Sequence, residues 1–206
     1  MIDKVITSGT FSLDGGTWDV DNNVWLVGDA REVVIIDAAH DAAPIAERVG
    51  GRAVRAILCT HAHNDHINAA RDLAGLTGAP IRLHPLDQVL WEQVYGTEVT
   101  YEPLEDGEKL TVGGHVLEIR HTPGHSPGAV CAYAPELGAV FSGDTLFKGG
   151  PGATGRSYSS FDTIIDSIRE RLLTLPPETV VHTGHGDSTS IGAEAPHLEE
   201  WLARGH

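Results

Sequence analysis

The chain has 206 residues, 41% of them hydrophobic and 21% charged, with 29 acidic and 14 basic side chains giving a formal charge of −15. A chain of this size fits one folded domain, here taken over residues 1–206, that buries about 70% of the surface its unfolded form exposes. The acidic excess excludes broad contact with nucleic acid, which needs a positive footprint. The apolar runs fall far short of the roughly 20 residues that cross a bilayer, which excludes a membrane-spanning role.

The opening Met1-Ile2-Asp3-Lys4 has neither a basic leader nor a long apolar segment, so a cleaved signal is not expected and a cytoplasmic location is. Residues 4–11, 23–27 and 32–37 are short segments rich in β-branched and aromatic side chains and read as strands. Asp14-Gly15-Gly16 and Gly28-Asp29 between them are turn material. Residues 41–49 read as a short helix opened by Asp41 and closed by Gly50-Gly51. A buried strand follows at 54–59, a loop at 60–66, a helix from about 68 to 76 ended by Gly78 and Pro80, and a strand at 81–84.

This strand–helix alternation puts helices on a sheet face. Residues 85–95 are a further helix candidate, and 96–103 reads as strand or loop. Four strands joined by turns are expected at 110–112, 115–120, 129–133 and 139–142. Phe161, Ile164, Ile165, Ile168 and Leu172 recur at helical spacing within 160–173. Residues 180–182 are a last strand and 191–203 a closing helix. Cys59 and Cys131 each lie in an apolar stretch and read as reduced core cysteines.

Twelve histidines are present, and their placement matters more than their number. Thr60-His61-Ala62-His63-Asn64-Asp65-His66 sets four potential metal ligands within six residues, directly after a strand. His61 and His63 can face one centre while Asp65 and His66 reach another. Imidazole nitrogens and carboxylate oxygens both suit zinc, and four such groups are costly to bury without a cation. Three more polar residues stand at strand ends, each preceded by glycine: His125, Asp144 and His185. A carboxylate has two oxygens and can bridge two cations, which suits Asp144. His84, His115 and His197, by contrast, read as surface or hydrogen-bonded histidines.

The stretch from Thr60 to His66, followed by His125, Asp144 and His185, resembles the metallo-β-lactamase superfamily, and especially its glyoxalase II-like thioester hydrolases. The likeness extends over nearly the whole chain, through Asn22-Asn23, Asp37, Thr122-Pro123-Gly124-His125-Ser126-Pro127-Gly128, Ser142-Gly143-Asp144-Thr145-Leu146-Phe147 and Gly184-His185-Gly186. It implies an α/β protein built as a four-layer αββα sandwich, with the site at one edge of the two sheets. It implies His61, His63 and His125 around one metal, Asp65, His66 and His185 around the other, and Asp144 between them. The cofactors expected are two divalent ions, zinc first, with iron and manganese also accepting these ligands.

The expected reaction is hydrolysis of a small-molecule thioester through a metal-bridging hydroxide, with Asp65 and Asp144 as catalytic residues and Asp65 also orienting the nucleophile. A thiolate leaving group needs little acid assistance. Asp37 is the first candidate to hold a ligand imidazole, with His182 and Thr183 behind it; from residues alone Asp37 serves equally well as a surface turn, and the resemblance favours the site.

Full-length glyoxalase II enzymes usually carry Gly-Cys-Gly-Lys/Arg in the loop after Phe147, whereas here Pro151 stands in place of the cysteine and the basic residue is displaced to Arg156. Lys148 and Arg156 are the candidate substrate contacts, or else solvated loop charges. The chain also stops soon after 191–203, so the helical domain that completes a glutathione site is not expected. The loop resembles that of proteins found beside mycothiol-linked formaldehyde metabolism in actinobacteria, which implies an acyl or formyl thioester of a different small thiol. Alternatives are a persulfide dioxygenase holding one iron on His61, His125 and Asp144, a lactonase, and a non-enzymatic metal-binding scaffold. A monomer or homodimer is expected, and β-lactamase activity is not.

Overall fold

The computed structural model describes residues 1–205; residue 206, the last of the span assigned to the single domain, lies outside the described residues. The chain opens with a long hairpin, β1 (Ile2–Leu13) and β2 (Gly16–Gly28), paired from Leu13↔Gly16 to Ile2↔Val27. Asp14 and Gly15, with φ of 53° and 77°, form the left-handed two-residue turn that matches the strand twist. β3 (Glu32–Ile36), helix α1 (Ala42–Val49), β4 (Ala53–Leu58), α2 (Asn64–Ile67), α3 (Ala70–Thr77) and β5 (Ile81–Leu83) follow. A 3-10 turn at Pro85–Asp87 leads into α4 (Gln88–Tyr95), and β6 (Glu102–Pro103) closes this half.

The second half holds β7 (Lys109–Val112), β8 (His115–His121), β9 (Val130–Ala134), β10 (Ala139–Gly143), a small hairpin of β11 (Leu146–Phe147) and β12 (Gly150–Pro151), and helix α5 (Phe161–Ser167). After α5 come β13 (Val180–Thr183), β14 (Thr189–Ser190), α6 (Ile191–Glu194) and α7 (Leu198–Arg204).

Two six-stranded sheets result, ordered β1-β2-β3-β4-β5-β6 and β14-β13-β10-β9-β8-β7. They pack face to face through Trp25, Val27, Val34, Ile36 and Leu58 of the first and Leu117, Ile119, Ala132 and Phe141 of the second. The alternate residues of the first sheet, among them Leu26, Val33, Ile35 and Ile57, pack against Ile45 of α1, Leu73 of α3 and Trp91 of α4. Cys131, Val140 and Val181 of the second sheet pack against Ile164 of α5 and Trp201 of α7. This is the expected αββα sandwich. Central strands buried on both faces read as continuous apolar runs such as 33–36, while the shared period of two still sorts successive side chains between layers.

Several elements differ from the expected ones. β2 begins at Gly16 rather than Asn23, because its outer half is held by ladder pairing with β1 and not by an apolar face. Residues 64–67 are a helical turn rather than loop. The helix expected at 160–173 is α5 followed by a π-turn at Ile168–Leu172. The closing helix is interrupted by a 3-10 turn at Ala195–His197, where Pro196 removes a backbone donor. Cys59 and Cys131 are buried and free, as expected. Among the described residues no helix is long and apolar enough to cross a membrane.

Candidate metal centre

The seven expected ligands come together at one edge of the sandwich. His61 and His63 lie just after β4, and Asp65 and His66 sit on α2, all at the end of the first sheet. His125 lies between β8 and β9, Asp144 follows β10 and His185 follows β13, so the second sheet supplies the other three. The α-helical turn gives Asp65 and His66 a common approach that an extended loop does not provide.

In the first group, His63 Nδ1 lies 3.0 Å from His61 Nε2 and 3.0 Å from His125 Nε2. In the second, His66 Nε2 and His185 Nε2 are 3.2 Å apart, and Asp65 Oδ2 lies 3.5 Å and 3.3 Å from them. Asp144 stands between the groups: Oδ1 is 3.3 Å from His66 Nε2, while Oδ2 is 3.5 Å from His185 Nε2 and 3.6 Å from His125 Nε2. His61, His63 and His125 are able to hold one ion together, as are Asp65, His66 and His185, and Asp144 forms a third such set with His61 and His66.

The protonation pattern tests whether these groups fit cations. His66 Nδ1 faces Asp37 Oδ2 at 2.9 Å, His125 Nδ1 faces the Ala153 carbonyl at 2.8 Å, and His185 Nδ1 faces the Asp21 carbonyl at 2.7 Å. A carbonyl or carboxylate only accepts, so each of these Nδ1 atoms carries the proton. Thr60 Oγ1 donates to Asp37 Oδ2 at 2.8 Å and is left to accept from His61 Nδ1 at 3.1 Å. Five imidazoles thus converge, His61, His66, His125 and His185 through Nε2 and His63 through Nδ1, at distances where only a proton or a cation between neighbours is favourable. Asp65 Oδ1 and Asp144 Oδ1 are buried without a hydrogen-bond partner. The residues fit a pair of divalent ions.

Electrostatics divides the two groups. Burial and the neighbouring imidazoles push His61 well below its ordinary value and His63 down to about 3, so both present neutral nitrogens. Burial also works against charge on His66, yet the carboxylates of Asp144, Asp65 and Asp37 outweigh it and hold His66 well above its ordinary value. His185, likewise opposed by burial, is pushed up to about 10, chiefly by Asp144. Burial raises Asp144, but His66 and His185 draw it well below the usual carboxylate range. The second group therefore holds positive charge more strongly than the first.

The glycines before the ligands explain part of the crowding. Gly143 has φ of 50°, and a Cβ there meets Thr60 Oγ1 at 2.3 Å; a Cβ at Gly184 meets Asp144 Oδ1 at 2.3 Å. The close approach of Gly124 is instead to the backbone of Ile164 on α5 rather than to a ligand.

Among the supporting residues, Asp37 accepts from Thr60 N at 2.7 Å as well as from Thr60 Oγ1 and His66, so its carboxylate faces the site and not a surface turn. Thr183 supports the His185 loop: its hydroxyl donates to the His185 carbonyl at 2.7 Å, and its own carbonyl accepts from Asn23 and Trp25. His182 lies elsewhere than expected. Its ring packs on Trp25 and Phe141 and its Nδ1 faces Ser188 Oγ, because the strand's alternation turns it away from the ligands.

A cavity of about 300 Å³ opens over the centre, walled by Phe11, Trp18 and Val20 of the hairpin, Phe147 of β11, and Ala153 and Arg156 of the following loop. The Arg156 guanidinium lies 3.9 Å from the Trp18 ring centroid and 5.2 Å from that of Phe11. Lys148 lies outside this lining, where its exposed ammonium pairs with Asp187 at 3.1 Å.

Sequence reasoning named Asn22 only within the family likeness, without a role, and missed His40, Asp87 and the aromatic wall. Asn22 Nδ2 donates to Asp65 Oδ2 at 3.1 Å while its Oδ1 meets His40 Nε2 at 2.8 Å. The signal for Asn22 was available, since two successive asparagines sit badly inside a strand unless their side chains are engaged. Asp87 gave no signal, because its partners are distant in sequence.

Residues 17–185 match the model of the Metallo-beta-lactamase superfamily. A Bacillus subtilis protein described as a probable metallo-hydrolase, YqgX, is 40% identical over 153 residues, covering 68% of this chain and 72% of that protein. The hydroxyacylglutathione hydrolase GloC of Haemophilus influenzae is 34% identical over 181 residues, covering 81% of this chain and 85% of its own. The crystal structure of TTHA1623 in a di-iron-bound form is similar with a TM-score of 0.77 at 36% identity, covering 85% of this chain and 93% of that one.

Proposed function

The chain belongs to the metallo-β-lactamase superfamily as a dinuclear metal-binding hydrolase, and from that premise we propose that its substrate is a thioester of a small thiol. The observation that carries the reading is the convergence of five imidazoles and two carboxylates beneath an aromatic-walled cavity. Two divalent cations bound there, zinc being the first candidate, supply Lewis acidity that activates water near neutral pH and polarises a carbonyl.

The protein's own residues do the rest. His61, His63 and His125 would hold one ion, and Asp65, His66 and His185 the other. Asp144 spans the two groups and keeps them at a fixed separation. Asp65 lines the cavity, so its carboxylate can orient the attacking water. Asn22 holds Oδ2 of Asp65 in place.

Among the described residues the cavity lining offers imidazoles, carboxylates and Arg156 but no lysine, tyrosine or cysteine to protonate a poor leaving group. A thiolate, with a parent thiol pKa near 8.5, leaves without such help. GloC, a hydrolase of hydroxyacylglutathione by its description, supports the same class. Arg156, stacked on Trp18, is placed to receive an anionic or polar tail, whereas Lys148 is already paired. Replacement of the loop cysteine by Pro151 favours a carrier other than glutathione, such as an acyl- or formyl-mycothiol. We read the chain as a single domain, and its two buried thiols suit a reducing, cytoplasmic setting.

Kinetic screening against acyl thioesters of glutathione and mycothiol, with metals quantified in the same sample, tests the proposal. Two divalent ions per chain and thioester turnover are expected. Arg156→Ala should raise KM for a substrate with an anionic tail by about tenfold with little change in kcat, the value of one charge-assisted hydrogen bond. A protein holding one iron, inert on thioesters and consuming oxygen with a thiol persulfide, overturns the reading.

A further inference from the structure

Asp87 is a carboxylate with no exposed surface, placed at the end of the 3-10 turn between β5 and α4, and it touches no ligand imidazole. Its Oδ2 accepts from Ala62 N at 2.8 Å and from Ser126 Oγ at 2.8 Å, and its Oδ1 accepts from Gly128 N. Ala62 is the residue between His61 and His63. Ser126 follows His125, and Gly128 lies two residues further on.

One buried side chain therefore ties the loop at the end of the first sheet to the loop between β8 and β9 of the second. These two loops carry all three imidazoles of the first group. Gly128 is fitted to this contact, since a Cβ there lies 2.6 Å from Asp87 N and 2.9 Å from the carboxylate. A buried carboxylate is costly to desolvate, and three donors from two separate loops compensate it only while those loops hold one arrangement. Asp37 plays a different part, because it bonds directly to His66 of the second group.

We propose that Asp87 is the positioning residue of the tris-imidazole site, fixing His61 and His63 relative to His125 and so setting the affinity of that site without touching the metal. The proposal rests on the two-metal reading of the centre.

Titration of the metal-free full chain with zinc, followed by calorimetry and by imidazole NMR signals that show which group is filled, tests it. The parent chain should bind two equivalents. Asp87→Ala should keep the Asp65–His66–His185 site and weaken the tris-imidazole site by about 10- to 100-fold, the usual effect of removing an outer-shell partner. Asp87→Asn retains one acceptor oxygen and should fall between Ala and the parent chain. Ser126→Ala removes a single donor and should weaken the same site several-fold. If Asp87→Ala does not fold, the other two variants carry the test. Unchanged affinity at both sites in Asp87→Asn and Ser126→Ala overturns the proposal, as does parallel weakening of both sites with a falling Tm, which marks a merely structural role. A parent chain that binds fewer than two metals overturns the reading of the centre itself, and this proposal with it.

Discussion

Asp37 illustrates how much rests on a single side chain. Its two oxygens accept from Thr60 N, Thr60 Oγ1 and His66 Nδ1, and its own backbone takes a left-handed φ of 59° that few residues other than glycine, asparagine and aspartate adopt readily. Asp37→Ala should leave His66 free to rotate and lower affinity at the Asp65–His66–His185 site by about 10- to 100-fold, measured by metal retention after dialysis. His182 makes a second residue-level prediction. Burial, with a smaller contribution from Lys4, pushes its imidazole down to about 4, so the folded chain holds it neutral where the unfolded chain protonates near its ordinary 6.5. Its contribution to stability is present above pH 6.5 and is lost as pH falls toward 4. The drop in Tm between pH 7 and pH 5 should accordingly be smaller in His182→Gln than in the parent chain; an equal drop counts against the assignment. The candidate ligands His61, His63, Asp65 and His66 were legible from their close spacing, and His125, Asp144 and His185 from the glycine before each at a strand end. Arg156 and Lys148 were not separable in sequence, since only the packing of Trp18 and the position of Asp187 tell them apart.

At the scale of elements, ligand placement depends on where strands end. β10 ends at Gly143, whose φ of 50° turns the chain so that Asp144 enters the site while Thr60 fills the space a side chain would take. Gly143→Ala should cost about 1–2 kcal/mol for the left-handed backbone alone, with the Thr60 contact adding to it. The measurement is chemical denaturation of the metal-free chain, and a loss below 0.5 kcal/mol, about the noise of a neutral surface change, contradicts the account. Short buried strands such as β3 and β4 were legible from apolar runs bounded by turn residues. The outer half of β2 was not, because Thr17, Trp18, Asp19 and Asp21 are exposed and only the β1 ladder makes them a strand. The π-turn after α5 likewise follows the helical period closely enough to pass as ordinary helix.

The whole molecule divides the metal centre between two sheets: His61, His63, Asp65 and His66 come from the first, and His125, Asp144 and His185 from the second. Cations bound there cross-link the halves of the sandwich and stabilise the folded chain by mass action, by about 4 kcal/mol per site at a thousandfold excess over Kd. Exhaustive chelation should lower Tm by about 10 °C or more, since 1 kcal/mol moves a domain of this size by about 2–4 °C. An unchanged Tm after verified metal removal tells against a centre that spans both sheets. The sequence by itself determined the layer architecture and singled out the residues that converge at the site, because strand periodicity, turn residues and dense histidine spacing are local properties that survive in one dimension. Only the tertiary structure decided which imidazole nitrogens converge, that Arg156 rather than Lys148 lines the cavity, and that Asp87 latches two ligand loops together. Those features depend on contacts between residues as far apart as Asp21 and His185, and such contacts exist only after the two sheets have closed on one another.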